Sequence, residues 1–84
     1  MLVIEVSDTT LLFDRRRKSP RYARAGIRDY WIVNLLEQQL EVYRNVVLEG
    51  KRYQYGNTTI VRRGESIAPL AAPQSPIAVD DLLP

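Results

Sequence analysis

The fold is decided by residues 2–34, LVIEVSDTTLLFDRRRKSPRYARAGIRDYWIVN, which change from a strand pattern to a helix pattern and back. Leu2–Ser7 is a near-continuous apolar run, typical of a strand that is covered on both faces. Residues 11–25 predict a helix, which Gly26 ends because glycine suits the position after a helix. Residues 29–35, DYWIVNL, are aromatic and β-branched and predict a second strand. This order favours a right-handed parallel crossover.

Pro20 leaves the start of the helix ambiguous. Proline is tolerated at the first helical position, and Ser19 before it is suited to capping the helix. Inside a longer helix, the same proline would remove a hydrogen bond and produce a kink. The sequence is compatible with both arrangements.

The rest of the chain predicts a hairpin and shorter strands. Residues 40–47, LEVYRNVV, follow a short polar turn and predict a third strand, antiparallel to the second. Residues 51–55 and 58–62 predict two short strands around Gly56 and Asn57. The fold class is therefore α/β, with a mixed sheet, a strand-helix-strand-strand core and short C-terminal strands. The single helix covers one face of the sheet and leaves the other without a covering helix.

Composition limits the chemistry that the protein can perform. The 84 residues make one domain at most, and they contain no cysteine and no histidine. This excludes disulfides, thiolate nucleophiles, Ser-His-Asp triads and His-ligated metal sites. No stretch approaches the roughly 20 apolar residues of a membrane span, and the apolar start is too short for a signal peptide. The sequence therefore predicts a cytoplasmic chain without a membrane partner.

Charge is divided between two neighbouring segments. Residues 1–14 hold three acids and no basic residue, whereas residues 15–28 hold seven basic residues and no acid. Such a basic block can bind phosphate, or it can be the solvated face of a helix. The candidates for nucleic-acid contact are Arg15, Arg16, Arg17 and Arg21.

Glu5 and Lys18 are the candidates for chemistry. An ionised carboxylate in an apolar strand is costly unless it is paired, protonated or bound to metal. Either this is an edge strand with Glu5 in water, or Glu5 is a metal ligand. Lys18 lies four residues from both Asp14 and Tyr22, so the three share one helix face. Lys18 either pairs with Asp14 or reaches back to Glu5, where it would stabilise charge on a phosphate.

These residues together resemble a known family. The pattern E-V-S, D-x-x-x-K-x-P-x-Y-A-x-A-G-I, Y-W-I-V and a hairpin strand covers about residues 2–46, and GESIAPL through DDLLP extends it. It is similar to that of the Uma family of bacterial restriction-endonuclease-like proteins, which belongs to the PD-(D/E)xK nuclease superfamily. The resemblance implies a mixed sheet flanked by helices and the hydrolysis of DNA phosphodiesters with Mg²⁺ or Mn²⁺.

The resemblance also implies roles for individual residues. Glu5 would be the acidic metal ligand, and Lys18 would act with it in catalysis. Lys18 replaces the lysine that the superfamily pattern has two residues after the glutamate, where this chain has Ser7. Asp14 and Tyr22 would support the two catalytic residues.

One part of the superfamily's site has no counterpart in this sequence. Its first metal-binding Asp lies on a strand before the glutamate, whereas Asp8 leaves the same strand and Asp29 begins the next. Mg²⁺ requires several oxygen ligands, so a metal is expected to be held weakly. The resemblance thus implies that residues 1–84 are the C-terminal part of a restriction-endonuclease-like domain, lacking its N-terminal helices and first strands.

Three functions follow from these observations. The first is a DNA endonuclease domain that is incomplete and inactive alone. The second is a non-catalytic remnant that self-associates through unpaired sheet edges and an uncovered apolar face. The expected partners are DNA and either a second copy of the chain or the missing N-terminal half. The third is a nucleic-acid binder that uses the basic helix.

Overall fold

The chain forms a mixed sheet, and residues 11–24, called here the helical segment, pack on one of its faces, the helical face. The structure is a computed structural model that describes residues 1–9 and 11–84, with the backbone but not the side chain of Asp14. In chain order, the elements are β1 (Leu2–Ser7), α1 (Leu11–Phe13), a π-helical turn (Asp14–Lys18), α2 (Ser19–Arg24), β2 (Asp29–Asn34), β3 (Gln39–Glu49), β4 (Arg52–Arg62), β5 (Ser66–Ile67), β6 (Ile77–Ala78) and a 3₁₀ turn (Val79–Asp81). No helix in the described ranges has the length and apolar character needed to cross a membrane.

The four long strands confirm the predicted α/β class. Their order is β1-β2-β3-β4, with β1 parallel to β2 and the other neighbours antiparallel. The expectation that the first strand is covered on both faces is wrong, because β1 is an edge strand and Val6 is 65% exposed. The strand buried on both faces is β2, all six residues of which are buried. An apolar run shows that a strand can be buried, but the pairing decides which strand lies inside.

The predicted helix is divided into α1, the π-helical turn and α2. Pro20 lies inside a longer helical segment, because α1, the π-helical turn and α2 follow one another without a break and Lys18, before α2, has helical φ and ψ of −79° and −38°. Of the two arrangements left open by the sequence, the separate helix capped by Ser19 is therefore wrong. Ser19 is not the cap, because it already belongs to α2 and the residue before the helix is Lys18. Gly26 follows the helix with a φ of 78°, as predicted.

The two faces of the sheet have separate cores. The helical face packs Leu11 against Tyr30, Ile32 and Tyr43. On this face four tyrosine rings also touch one another, with centroids 4.9 to 6.1 Å apart: Tyr22, Tyr30, Tyr43 and Tyr55. Among the described residues, no α-helix packs on the other face, and the C-terminal segment covers its centre with buried Val79 and Leu83. Both cores meet at β2, which explains its complete burial.

The region around Gly56 is one strand, not the two short strands that were predicted. The pairing of β3 with β4 keeps one register on both sides of this point, from Arg44 opposite Asn57 to Val46 opposite Tyr55. A Cβ atom at position 56 would lie 2.8 Å from the side-chain nitrogen Nδ2 of Asn45, so glycine allows Asn45 of β3 to lie close to the backbone of β4. Gly56 therefore permits close contact between β3 and β4 and does not mark a turn.

Candidate active site

Two carboxylates lie on one row of the sheet, on its helical face. Glu5 of β1 is opposite Ile32 of β2, which is opposite Glu41 of β3. Since neighbouring strands are about 4.8 Å apart, the two glutamate backbones are roughly 10 Å apart. The row places one acidic group on each side of the central strand, beneath the helical segment.

The first carboxylate, Glu5, binds two side chains from the helical segment. Lys18 Nζ donates to Glu5 Oε2 over 2.8 Å, and the Tyr22 hydroxyl donates to Oε1 over 2.5 Å. The Glu5 side chain is 17% exposed and that of Lys18 is 37% exposed. The sequence thus brings together three of its predicted site residues in a place that remains open to solvent.

The second carboxylate, Glu41, is enclosed. Arg15 donates to both of its oxygens, with Nε 2.9 Å from Oε1, while the Tyr43 hydroxyl donates to Oε1 over 2.7 Å. The Asn34 amide donates to Oε2 over 3.1 Å, and the Glu41 side chain is 1% exposed. All of the strong acceptor positions of this carboxylate face protein donors, so it is unavailable to a ligand.

The surroundings of Glu41 determine the pKa of each partner. Burial raises the pKa of Glu41, but the hydrogen bonds from Arg15, Tyr43 and Asn34 outweigh it, and the net pKa lies below its ordinary value. Burial, followed by the hydrogen bond to Glu41, raises the pKa of the Tyr43 hydroxyl. The hydrogen bond to Glu41 likewise raises the pKa of Arg15. The cluster therefore holds a carboxylate anion, a cation and a neutral phenol at neutral pH.

The π-helical turn supplies the cation for each carboxylate. Arg15 reaches Glu41 and Lys18 reaches Glu5, although the two cations are only three residues apart. The i→i+5 bonding of a π turn widens the helix, so residues three apart diverge more around its axis than in an α-helix. This divergence lets one short segment reach β3 and β1 on either side of Ile32.

The other predicted site residues take different positions. The side chain of Asp14 lies outside the described residues, so its pairing with Lys18 stays a prediction. Arg15 is occupied by Glu41, whereas Arg16, Arg17 and Arg21 are exposed. The structure therefore separates the predicted basic contacts into one internal ion pair and three surface cations.

Asp29 does not approach Glu5. Its carboxylate accepts hydrogen bonds from Arg44 Nε at 2.9 Å, from the Trp31 indole at 2.6 Å and from the Leu70 amide at 2.9 Å. Trp31 belongs to the core of the opposite sheet face. Burial raises the pKa of Asp29, but these donors bring it below its ordinary value. Asp29 thus fixes the C-terminal segment to the sheet.

The described residues do not form a complete metal site. They contain no group of three or more Asp, Glu, His or Cys residues placed to hold an ion. Both oxygens of Glu5 contact donors, Lys18 and Tyr22, and a hard divalent cation needs several oxygen ligands. The donor set around Glu5 therefore does not fit Mg²⁺ or Mn²⁺ without a further acidic ligand from outside the described residues.

Glu41 is the residue that sequence reasoning missed. The sequence pattern that could have identified it is the alternation along β3, in which Glu41 and Tyr43 share the face opposite Leu40 and Val42. A charge on a face that packs a helix predicts a partner on that helix, and Arg15 was available.

Comparison with models of protein families shows which family the chain matches. Residues 1–80 match the model of the Uma2 family, which is described as "Putative restriction endonuclease". No curated protein matches the chain. The family match covers almost all of the chain and includes both carboxylates of the row.

Proposed function

This chain belongs to the Uma2 family, and on that premise we propose that it contributes the Glu5–Lys18 part of a site that hydrolyses DNA phosphodiesters. The observation that supports this most directly is the contact of Lys18 Nζ with Glu5 Oε2 at 2.8 Å, in a solvent-accessible position. A cation held beside a carboxylate at the surface is suited to receive a phosphate and to remain oriented before it arrives.

The chemistry of these residues assigns them separate tasks. In hydrolysis, a water oxygen bonds to phosphorus while a P–O ester bond breaks, and negative charge grows on the phosphate oxygens. The Lys18 ammonium stabilises this charge. Glu5 holds Lys18 in place, and the Tyr22 hydroxyl fixes the second oxygen of Glu5. No step is assigned to a metal, because the described donor set does not fit one.

A plasmid-nicking assay tests whether the chain suffices for hydrolysis. The purified chain is incubated with supercoiled DNA and Mg²⁺ or Mn²⁺, beside Glu5→Gln and Lys18→Gln. Because a second acidic ligand is lacking among the described residues, we expect no nicking above the level of both variants. Nicking by the natural chain that disappears in both variants would overturn this insufficiency and show a complete site.

Binding without metal tests whether the phosphate lies at Glu5. In EDTA, the Glu5 carboxylate repels a neighbouring phosphate, so Glu5→Gln should bind a labelled DNA duplex about 3- to 10-fold more tightly. Lys18→Gln should bind more weakly by a similar factor. Asp81→Asn is the matched control, because Asp81 is an exposed acid in the 3₁₀ turn. Equal gains for Glu5→Gln and Asp81→Asn would exclude a phosphate at Glu5.

A second candidate function is self-association through β1. This strand lies at the edge of the four-stranded sheet, and its Ile4 and Val6 expose apolar surface on the side opposite Glu5. Unpaired edges with apolar side chains favour pairing with another chain. Sedimentation over a range of concentrations should show a dimer that Val6→Lys shifts toward monomer. A monomer at all concentrations would exclude this function.

A further inference from the structure

A basic cleft lies between the helical segment and the end of the β3–β4 hairpin. It has a volume of about 570 Å³. Its lining includes three arginines from the helical side, two cations from the hairpin, and a tyrosine: Arg16, Arg21, Arg24, Lys51, Arg52 and Tyr53. The lining contains no acidic residue. Two elements that are distant in the sequence thus combine their positive charge around one concave surface.

The cations of this cleft differ from the other basic residues in their partners. Arg15, Lys18, Arg44 and Arg63 each form an ion pair with a carboxylate. In the described part of the chain, no ion pair involves any of the five cleft cations. Like charges held around one concave surface repel one another, and a bound polyanion relieves that repulsion. Among the described residues, the positive charge of this cleft is therefore not neutralised by an ion pair within the chain.

The shape of the cleft favours a chain of phosphates over a single one. Five cations line two walls, four of them arginines, which bind phosphate oxygens through two parallel N–H donors. Arg16 belongs to the same π-helical turn as Lys18, so this turn contributes one cation to the cleft and another to the Glu5–Lys18 pair. A polymer with regularly spaced phosphates can contact several of the cleft cations at once.

We infer that this cleft binds successive phosphates of a nucleic-acid strand. The inference rests on the proposed function for the identity of the polymer, but binding in the cleft requires neither hydrolysis nor metal. It adds Arg24, Lys51 and Arg52 to the contacts predicted from the sequence. It leaves out two predicted contacts: Arg15, which binds Glu41, and Arg17, which does not line the cleft.

The salt dependence of DNA binding tests the inference. Anisotropy of a labelled duplex is measured in EDTA, so that no cleavage occurs. Five phosphate contacts predict a slope of log K against log salt of about −4.5, which is roughly a 500-fold loss of affinity from about 50 to about 200 mM salt. Lys51→Ala should make the slope shallower by about 1. Because Lys51 lies in the exposed turn between β3 and β4, this variant preserves the packing of the sheet.

Arg28→Ala is the matched control, since Arg28 is exposed and does not line this cleft. It removes the same charge and should leave the slope unchanged. Equal slopes for Lys51→Ala and the natural chain, or an equal decrease in Arg28→Ala, would overturn the inference.

Inorganic pyrophosphate serves as a competitor at equal phosphate concentration. Full displacement of the duplex by pyrophosphate would assign the cleft to a small polyphosphate and overturn the assignment to a strand. Since the Glu5→Gln effect is measured separately, failure of the cleft and failure of the proposed function are distinguishable.

Discussion

Glu5 and Glu41 stand on either side of Ile32, and each receives a cation from the π-helical turn and a hydroxyl from a tyrosine. They differ in the cation and in their access to water. Glu41 is enclosed by the planar fork of Arg15, with Asn34 as a further donor. Glu5 is partly exposed and bound by the single ammonium of Lys18, which is itself partly exposed. The same type of ion pair therefore occurs twice: Arg15–Glu41 is the closed pair, and Lys18–Glu5 is the open pair.

This difference indicates which ion pair stabilises the fold and which is accessible to a ligand. A buried carboxylate that loses a partner leaves uncompensated polar groups, so the closed pair is sensitive to change. A pair that is partly solvated contributes little to stability, because water screens it and can replace either partner. The closed pair therefore anchors the π-helical turn to β3, whereas in the proposed function the open pair presents Lys18 to a phosphate.

The largest expected effect is that of removing the enclosed carboxylate. Glu41→Ala leaves the donors of Tyr43 and Asn34 without their acceptor, so the free energy of unfolding should fall by about 3 kcal/mol. The total free energy of unfolding of a domain of this size is roughly 4 to 13 kcal/mol, so this loss is a large part of the stability. Urea unfolding followed by circular dichroism measures it. Glu49→Ala, an exposed acid on the same strand, is the control and should change stability by less than about 0.5 kcal/mol.

Acid should weaken the protein through the same carboxylate. The folded-state pKa of Glu41 lies below its ordinary value of 4.5, and that of Asp29 lies below 3.8. A carboxyl with a lowered folded pKa contributes its stability above the unfolded pKa and loses it as the pH falls through the folded value. Stability should therefore decrease below about pH 4.5. Urea midpoints between pH 7 and pH 3 should fall less steeply in Glu41→Gln; an unchanged slope would contradict the role of Glu41.

Exchange of the two cations sharpens the comparison further. Arg15→Lys keeps the charge but loses the two-point contact with Glu41, and it should reduce the free energy of unfolding by about 1 to 2 kcal/mol. Lys18→Arg at the open pair should change it by less than about 0.5 kcal/mol. Thermal unfolding of both variants in one buffer measures the contrast. Equal losses would mean that the two pairs are equivalent, against this account.

Part of the fold and of the site could be predicted from the sequence. The crossover from β1 to β2 and the hairpin follow from local patterns, because a strand, a helix and a strand leave little choice of topology. The Glu5–Lys18 contact was one of two alternatives for Lys18 that the sequence left open. The edge position of β1 was one of two alternatives that the sequence left open, since it depends on which strands pair. The continuity of β4 through Gly56 likewise depends on the opposite residue, Asn45. The π-helical turn and the Arg15–Glu41 pair require tertiary contact, which a local pattern does not contain.

The most direct test compares Glu5→Gln with Glu41→Gln in two measurements on the same samples. Each variant is unfolded by urea, and its affinity for a labelled DNA duplex is measured in EDTA. We expect Glu5→Gln to keep its stability within about 0.5 kcal/mol and to bind DNA about 3- to 10-fold more tightly. Glu41→Gln should lose stability, while its folded fraction binds DNA as the natural chain does. The reverse result, with Glu5→Gln unstable and Glu41→Gln altered in DNA affinity, would contradict the division between an open and a closed carboxylate.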